Sequence, residues 1–256
     1  MPPQTKERYR ASMQLKAWFP NRKPQSTARC RLVCLPYAGG NAAIYRTWQA
    51  RLPGIEVCAA ELPGRWGRVR EKPYESIPNI VTDLHEALAQ LPPLPTAFFG
   101  YSFGTVVAYE MARHSQVAPI HLFAGASRSP NTRERIVVSN LSNEQIVTFL
   151  ANNYGAPIPP ALLADPEMSE LILRSTRADL LCLENYEKGS PPPLACPITV
   201  FAGEEDHRAS PADLQSWSVL TNGVFDLHAL PGGHFFIHQQ EGTMLEIIGA
   251  KLAELQ

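Results

Sequence analysis

A serine flanked by glycines is the most distinctive chemical feature of this 256-residue chain. The pentapeptide Gly100-Tyr101-Ser102-Phe103-Gly104 follows an apolar run, residues 96–99, that predicts a buried strand, and it precedes residues 105–112, which predict a helix. The glycines permit a turn too tight for a Cβ atom, and this turn holds the serine oxygen at the positive end of the helix. An ordinary strand–turn–helix connection uses the same residue types, but the pattern favours a nucleophilic serine.

A serine hydroxyl attacks only if a base takes its proton, and that base needs an acid to hold its ring. Among the seven histidines, His234 is the predicted base, because it lies in a glycine-rich turn between the last predicted strand and the last predicted helix. His207 is a rival, but it precedes the last strand. His234 and His238 are spaced like two metal ligands on a helix, yet the H-E-x-x-H pattern is missing, so we predict no metal.

The acid partner is predicted to be Asp206, in the loop after a strand that ends at Ala202. On folds of this kind the order along the chain is serine, acid, histidine, which Asp206 satisfies. Glu204 and Glu205 are rivals in the same loop, and a solvated acidic turn would have the same composition. Asp226, just inside the last predicted strand, is a weaker rival.

Attack on an acyl carbon produces an oxyanion, which two backbone N–H groups stabilise in sites of this type. Phe103 supplies one of them by position, as the residue after the nucleophile. The glycine-rich loop that begins at Pro36 follows the first predicted strand, and Ala38 in this loop is the expected second donor.

Strand and helix patterns alternate along the chain. Apolar residues spaced by three and four from Ile77 to Leu91 predict an amphipathic helix, for example. The predicted strands are residues 32–35, 56–60, 96–99, 121–125, 198–202 and 225–230. This order predicts an α/β fold with a mostly parallel sheet and helices on both faces. The carboxyl ends of the strands then bring Ser102, the Ala38 loop and the Asp206 loop to the same edge.

The segment from about residue 131 to 190 interrupts this alternation, because it predicts helices and contains no clear strand. One helix is predicted to begin near Leu141-Ser142-Asn143 with a serine or asparagine cap, and a second to cover the apolar positions from Leu171 to Leu183. We interpret the segment as a helical lid inserted over the catalytic edge; two more sheet-covering helices are the alternative. Residues 29–256 are then one domain.

Composition sets wider limits on the function. A hydrophobic content of 45%, 18% charged residues and a formal net charge of −1 are typical of a globular protein that does not bind nucleic acid or a membrane. Five scattered cysteines suggest neither a disulfide framework nor zinc, which favours the cytoplasm. We expect a monomer. Residues 1–28 are interpreted as a flexible leader in which Trp18-Phe19 could dock on the domain.

Several motifs, in this order, together resemble type II thioesterases, the stand-alone editing enzymes of polyketide and non-ribosomal peptide synthesis. The motifs are Leu35-Pro36-Tyr37-Ala38-Gly39-Gly40, Leu62-Pro63-Gly64-Arg65, the pentapeptide around Ser102, Gly203-Glu204-Glu205-Asp206 and Gly232-Gly233-His234-Phe235-Phe236. Leu141-Ser142-Asn143-Glu144, Arg177-Ala178-Asp179 and Trp18-Phe19 are similar too. The resemblance covers nearly the whole chain after about residue 17.

The resemblance implies an α/β-hydrolase fold and hydrolysis of acyl groups from the phosphopantetheine arm of a carrier protein, with no cofactor of the enzyme's own. The family usually has histidine before the nucleophile and methionine or leucine after it, where this chain has Tyr101 and Phe103. We expect these larger rings to reshape the acyl pocket. Tyr37, Tyr101 and Phe235 are its predicted lining.

Two further questions stay open at the level of sequence. The basic run Arg65, Arg68, Arg70 and Lys72 could steer an acidic carrier protein, or it could be an ordinary solvated loop, which is the commoner case. The same triad would serve a carboxylester hydrolase that acts on small free esters. A non-catalytic module that retained the fold is a third reading, against which the complete set of Ser102, Asp206 and His234 argues.

Overall fold

The structure of this chain is a computed structural model that describes residues 13–132, 136–156, 165–187, 189 and 191–254, without the side chains of residues 166, 168 and 172. Within these residues, six strands form one sheet. They are β1 (Cys30–Leu35), β2 (Ile55–Ala59), β3 (Thr96–Tyr101), β4 (His121–Gly125), β5 (Ile198–Gly203) and β6 (Phe225–Leu230). All neighbouring strands are parallel, in the order β2-β1-β3-β4-β5-β6.

Helices connect the strands and cover both faces of the sheet. They are α1 (residues 13–18), α2 (Trp48–Arg51), α3 (Ile77–Ala89), α4 (Phe103–Arg113), α5 (Asn143–Tyr154), α6 (Pro166–Glu184), α7 (Pro211–Gln215) and α8 (Glu241–Glu254). Side chains of α3, α4, α5 and α6 share one core with the sheet, and side chains of α2 and α8 share the other. The predicted α/β architecture is therefore confirmed.

Alternation along the strands decides which core each side chain enters, because successive strand residues point to opposite faces of a sheet. In β3, Phe98 belongs to the core under α3 and α4, whereas Phe99 and Tyr101 belong to the core under α2 and α8. All three are almost completely buried. A sheet covered on both faces needs such mostly apolar strands, which is why β1 to β5 are recognisable in the sequence.

The segment of residues 131–190, from here on called the insertion, joins β4 to β5 and contributes α5 and α6. Helix α5 begins with a capping box, in which the Ser142 hydroxyl accepts from the Gln145 N–H and the Gln145 side chain accepts from the Ser142 N–H. This confirms the predicted helix start. The helix ends at Gly155, whose φ of 61° suits glycine. Residues 157–160, which include three prolines, lie outside the described residues.

The first described residues pack against the domain. Trp18 and Phe19 are 1% and 2% exposed, and they belong to the core that also contains α3 and α4. The Trp18 carbonyl accepts a hydrogen bond from the Glu61 N–H, and its ring stacks on Tyr74. Trp18 and Phe19 therefore dock on the domain, as the sequence analysis suggested, because two large apolar rings are removed from water there. Residues 1–12 lie outside the described residues.

Two further features concern the environment of the chain. All five cysteines are free thiols with buried side chains. Across the described ranges, none of the helices combines the length and apolar character needed to cross a lipid bilayer.

Candidate active site

Ser102 occupies a strained position between β3 and α4. Its φ of 54° and ψ of −113° lie outside the regions that non-glycine residues usually adopt. The two glycines make this turn possible: a Cβ at Gly100 would lie 2.2 Å from the Gly104 carbonyl oxygen, and a Cβ at Gly104 would lie 2.2 Å from the Leu35 carbonyl oxygen. The Ser102 N–H donates to the Gly125 carbonyl at the end of β4, which fixes the turn to the sheet edge.

The structure brings the three predicted side chains together. His234 Nε2 lies 3.0 Å from Ser102 Oγ, and His234 Nδ1 lies 2.8 Å from Asp206 Oδ2. The second carboxylate oxygen of Asp206 accepts from the Arg208 N–H at 3.1 Å. The side chains of His234 and Asp206 are only 4% and 7% exposed, so their hydrogen bond is largely shielded from water. This arrangement can pass a proton from the serine hydroxyl to the imidazole.

The loop after β5, which carries Asp206, is held against the loop after β6, which carries His234 and is called the histidine loop. A Cβ at Gly203 would lie 2.5 Å from the Gly232 carbonyl oxygen, so only glycine allows the end of β5 to approach the histidine loop this closely. The Glu205 N–H donates to the same carbonyl at 3.0 Å. These backbone contacts set the distance between Asp206 and His234.

Tyr101 holds the histidine loop in place through its hydroxyl group. Tyr101 was predicted to line the acyl pocket, and this prediction is wrong. Its hydroxyl donates to the His234 carbonyl at 2.6 Å and accepts from the Ile237 N–H at 3.2 Å. The ring is fully buried under α2 and α8, on the face of the sheet opposite the insertion. The physical reason is strand alternation, which sends the residue before the serine to that face. Tyr101 therefore positions His234, a role that the sequence analysis missed.

The rival residues are placed elsewhere. Glu204 and Glu205 are exposed, and Asp226 pairs with Lys251 at 2.6 Å. His238 Nε2 lies 3.2 Å from the Tyr37 hydroxyl, whereas both nitrogens of His234 face Ser102 and Asp206. The two histidines therefore do not point to a shared position.

A small open depression lies beside the serine. Its walls come from the strand ends and from the insertion, and the residues are Ser102, Phe103, Ala126, Ser127, Arg128, Ile136, Tyr154, Leu183, Arg208 and His234. The Tyr154 ring, at the end of α5, packs on the His234 ring, with 4.7 Å between the two ring centroids. Neither Tyr37 nor Phe235 belongs to these described walls: the two rings pack on each other, 5.2 Å apart, beside the histidine loop. The insertion instead supplies apolar side chains to these walls, which the sequence analysis did not identify.

The two predicted oxyanion donors lie on neighbouring elements. Phe103 is the first residue of α4, and the first N–H groups of a helix have no partner within the helix. The start of α4 packs directly on the end of β1, since a Cβ at Gly104 would also lie 2.5 Å from the Pro36 carbonyl oxygen. The loop that follows β1 and contains Ala38 therefore begins beside the serine turn.

The basic run after β2 is mostly paired within the chain. Arg68 contacts Glu71 at 2.6 Å, and Lys72 contacts Glu75 at 2.6 Å. Arg65 is only 5% exposed and forms an ion pair with a carboxylate of the insertion, described below. Neither a solvated loop nor a steering charge describes Arg65, because a buried, paired guanidinium does not face an approaching protein.

Glu61 lies under the loop that contains Ala38. Its Oε2 accepts from the Ala42 N–H at 3.2 Å, whereas Oε1 is buried and has no hydrogen-bond partner among the described residues. Burial raises the pKa of Glu61 from 4.5 to about 7, although the Ala42 N–H and the charges of Arg65 and Arg68 act in the opposite direction. Desolvation outweighs these contacts because only one of the two oxygens is satisfied.

The raised pKa of Glu61 predicts a pH-dependent stability. A carboxyl whose pKa is higher in the folded state favours folding in its neutral form. Its contribution is complete below the ordinary value of 4.5 and is lost as the pH rises through about 7. Glu61→Gln keeps an acceptor for the Ala42 N–H and stays neutral, so its Tm should exceed that of the wild type increasingly from pH 5 to pH 8. Melting curves across this range test the prediction, with exposed Glu75→Gln as control; a constant Tm difference would contradict it.

Comparison with known proteins places this geometry in a family. A model of the thioesterase domain matches residues 30–252. The gramicidin S biosynthesis protein GrsT of Aneurinibacillus migulanus is 34% identical over 245 residues, which cover 93% of this chain and 95% of the relative.

Two solved structures are similar over most of their length. One is RedJ, a thioesterase from the prodiginine biosynthetic pathway in Streptomyces coelicolor. It is 32% identical, with a TM-score of 0.79 over 92% of this chain and 98% of that one. The other is BorB, a type II thioesterase from the borrelidin biosynthetic cluster. It is also 32% identical, with a TM-score of 0.81 over 91% and 96% of the two chains. The chain described here therefore belongs to the thioesterase family, with the α/β-hydrolase fold.

Proposed function

We propose that this chain hydrolyses the thioester between an acyl group and the phosphopantetheine arm of a carrier protein, in an editing or release step of polyketide or non-ribosomal peptide synthesis. The observation that carries the proposal is the hydrogen-bonded series Asp206–His234–Ser102 at the sheet edge of a thioesterase-family chain. The similarity to a gramicidin S biosynthesis protein and to a type II thioesterase of the borrelidin biosynthetic cluster supports the substrate class.

In the first half-reaction, Ser102 Oγ attacks the thioester carbon while His234 Nε2 takes the hydroxyl proton. Asp206 accepts a hydrogen bond from His234 Nδ1 and stabilises the positive charge on the imidazole. The carbonyl oxygen becomes an oxyanion, which the N–H groups of Ala38 and Phe103 stabilise. The C–S bond then breaks, and the pantetheine sulfur leaves with the proton from His234. The acyl group is left as an ester on Ser102.

In the second half-reaction, a water molecule repeats the attack on this ester. His234 takes a proton from the water, and the resulting tetrahedral intermediate uses the same two N–H groups. Its collapse releases the carboxylic acid and returns the proton from His234 to Ser102 Oγ. A thiolate is a better leaving group than an amine, so this machinery suits thioesters.

The acyl group is proposed to lie in the depression beside Ser102. Ile136, Tyr154 and Leu183 give this depression apolar walls, and all three come from the insertion. The insertion thus acts as the lid of the acyl site, and its side chains set the preference for the acyl chain. The proposed partner is an acyl or peptidyl carrier protein, which presents the thioester at the end of its flexible arm.

A pair of matched substrates tests this function. A hexanoyl group is loaded either on the phosphopantetheine of a carrier protein or on p-nitrophenol, and hydrolysis is followed by the mass of the carrier protein or by absorbance. We expect kcat/KM to be higher for the carrier thioester. Efficient hydrolysis of the free ester, with the carrier thioester left intact, would instead favour a carboxylester hydrolase.

A further inference from the structure

A buried ion pair joins the insertion to the loop that contains Ala38. Arg65, which follows β2, donates two parallel hydrogen bonds to Asp179 of α6, from Nη1 to Oδ2 at 2.8 Å and from Nη2 to Oδ1 at 2.9 Å. Their side chains are 5% and 2% exposed. Bidentate arginine–carboxylate pairs fix geometry as well as charge. Both members also bind the backbone of the loop.

Each member of the ion pair forms a hydrogen bond with a backbone group of the loop that contains Ala38. Asp179 Oδ2 accepts from the Gly39 N–H at 2.8 Å, and Arg65 Nη1 donates to the Gly40 carbonyl at 3.0 Å. One carboxylate therefore holds the N–H of the peptide group between Ala38 and Gly39, and one guanidinium holds the carbonyl of the peptide group between Gly40 and Asn41. These two contacts fix the orientation of the first and the third peptide group after Ala38.

Helix α6 lies against this loop without space for a side chain. Gly39 has a φ of 73°, and a Cβ there would lie 2.1 Å from Thr176 Oγ1. Thr176 lies one helical turn before Asp179, so the same face of α6 both covers Gly39 and holds its N–H. The position of the loop relative to α6 is therefore fixed by close packing and by charge.

We propose that Arg65 and Asp179 are positioning residues that hold the Ala38 N–H in the oxyanion site. Asp179 occupies the Gly39 N–H, which orients the peptide group that joins Ala38 to Gly39 and keeps this second N–H away from the oxyanion. Arg65 holds the Asp179 carboxylate and the Gly40 carbonyl in place. The insertion is thus part of the oxyanion site as well as its cover. This inference rests on the proposed function, because it concerns how that reaction is stabilised.

The effect of the ion pair on catalysis can be measured separately from its effect on folding. Removing one member leaves a buried charge without a partner, which destabilises a protein, whereas replacing both by apolar residues often restores stability. We therefore compare Asp179→Leu with Arg65→Met/Asp179→Leu. Neither variant holds the Gly39 N–H, so both should lose about ten- to a hundredfold in kcat, because a small misplacement in an active site can cost about 10²-fold. The Tm should fall in the single variant and recover in the double variant.

The affinity of an inhibitor that forms an oxyanion measures directly how well the oxyanion site stabilises this charge. A trifluoromethyl ketone analogue of hexanoyl-pantetheine adds to Ser102 Oγ, and its carbonyl oxygen becomes an oxyanion that mimics the tetrahedral intermediate. Its Ki should rise in the double variant by the same factor by which kcat/KM falls, as expected for an interaction made in the transition state. KM for the acyl-carrier substrate should remain nearly unchanged.

Glu56→Leu provides the matched control. Glu56 holds Arg31 and Arg22 in a buried ion pair at the opposite end of β1 and β2, so its loss should lower Tm without changing kcat or Ki. Where Asp179→Leu does not fold, Asp179→Asn keeps the shape of the side chain and should show a smaller loss in the same direction.

Two outcomes would overturn the inference. Either kcat recovers together with Tm in the double variant, or Ki stays at the wild-type value while kcat falls. Failure of the proposed function would look different, because wild-type enzyme would then leave acyl-carrier thioesters intact. If the inference alone fails, the wild-type enzyme still hydrolyses the acyl-carrier thioester, and a Ser102 variant still loses this activity.

Discussion

Ser102→Ala is expected to lower kcat for an acyl-carrier thioester by about 10⁵- to 10⁶-fold, as in serine hydrolases that lose their nucleophile. The side chain carries the only oxygen that lies 3.0 Å from His234 Nε2 among the described contacts. Without it, water must attack the thioester directly, and the remaining N–H groups supply only a small part of the rate acceleration. The fold should persist, because the backbone hydrogen bond from residue 102 to Gly125 does not involve the side chain.

The measurement is a single-turnover assay in which the mass of the carrier protein reports the loss of its acyl group. Ser115→Ala is the matched control: it removes a hydroxyl after the other end of α4, where Ser115 Oγ donates to the Met111 carbonyl. This control should keep wild-type kcat and nearly wild-type Tm. Near-normal turnover by Ser102→Ala would remove Ser102 from the mechanism.

Asp206→Asn is expected to lower kcat by about 10⁴-fold, with little change in KM. Asparagine has nearly the same shape, but its amide cannot stabilise an imidazolium, and it can favour the tautomer that carries no proton on Nδ1. The 2.8 Å contact between Asp206 and His234 is largely shielded from water, so solvent cannot replace the lost charge.

Glu205→Gln is the control for this variant, because it neutralises an exposed acid next to Asp206 in the same loop. The pH dependence of kcat/KM provides a second readout. We expect the rate of Asp206→Asn to rise at high pH, where hydroxide can compensate for a poor base, whereas the control should follow the wild-type profile. Equal activity of Asp206→Asn and Glu205→Gln would assign the acid role to another residue.

Much of the fold could be predicted from the sequence, because its signals are local. The strands β1 to β5 are short, mostly apolar runs bounded by turn residues, and burial on both faces requires such runs. Ser102, Asp206 and His234 each follow a strand in a loop, and parallel strands bring their carboxyl ends to one edge. The Ser142 cap of α5 is likewise visible in the residue types of one turn.

The features that were not predicted depend on contacts distant in sequence. Arg65 and Asp179 are 114 positions apart, and although each lies in a motif of the resemblance, neither motif shows that the two side chains meet. Their burial follows from the way α6 packs on the loop after β1, which no local pattern encodes. The walls of the depression beside Ser102 were missed for the same reason, since Ile136, Tyr154 and Leu183 come from the insertion.

The position of Tyr101 is a different case. Strand alternation could have shown that the residue before the serine turns away from the insertion, because Phe99 and Tyr101 lie on the same side of β3. A neighbour of the nucleophile in sequence is therefore not necessarily a neighbour of the substrate in space.

The most direct test of the central claim is the identification of the covalent intermediate. Hexanoyl-carrier protein is mixed with the enzyme, the reaction is stopped with acid within the first turnover, and the enzyme is analysed by intact mass and by peptide fragmentation. We predict a mass gain of one hexanoyl group, located on Ser102 and absent from Ser102→Ala. Full turnover with the acyl group on another residue would contradict the assignment of Ser102 as the nucleophile.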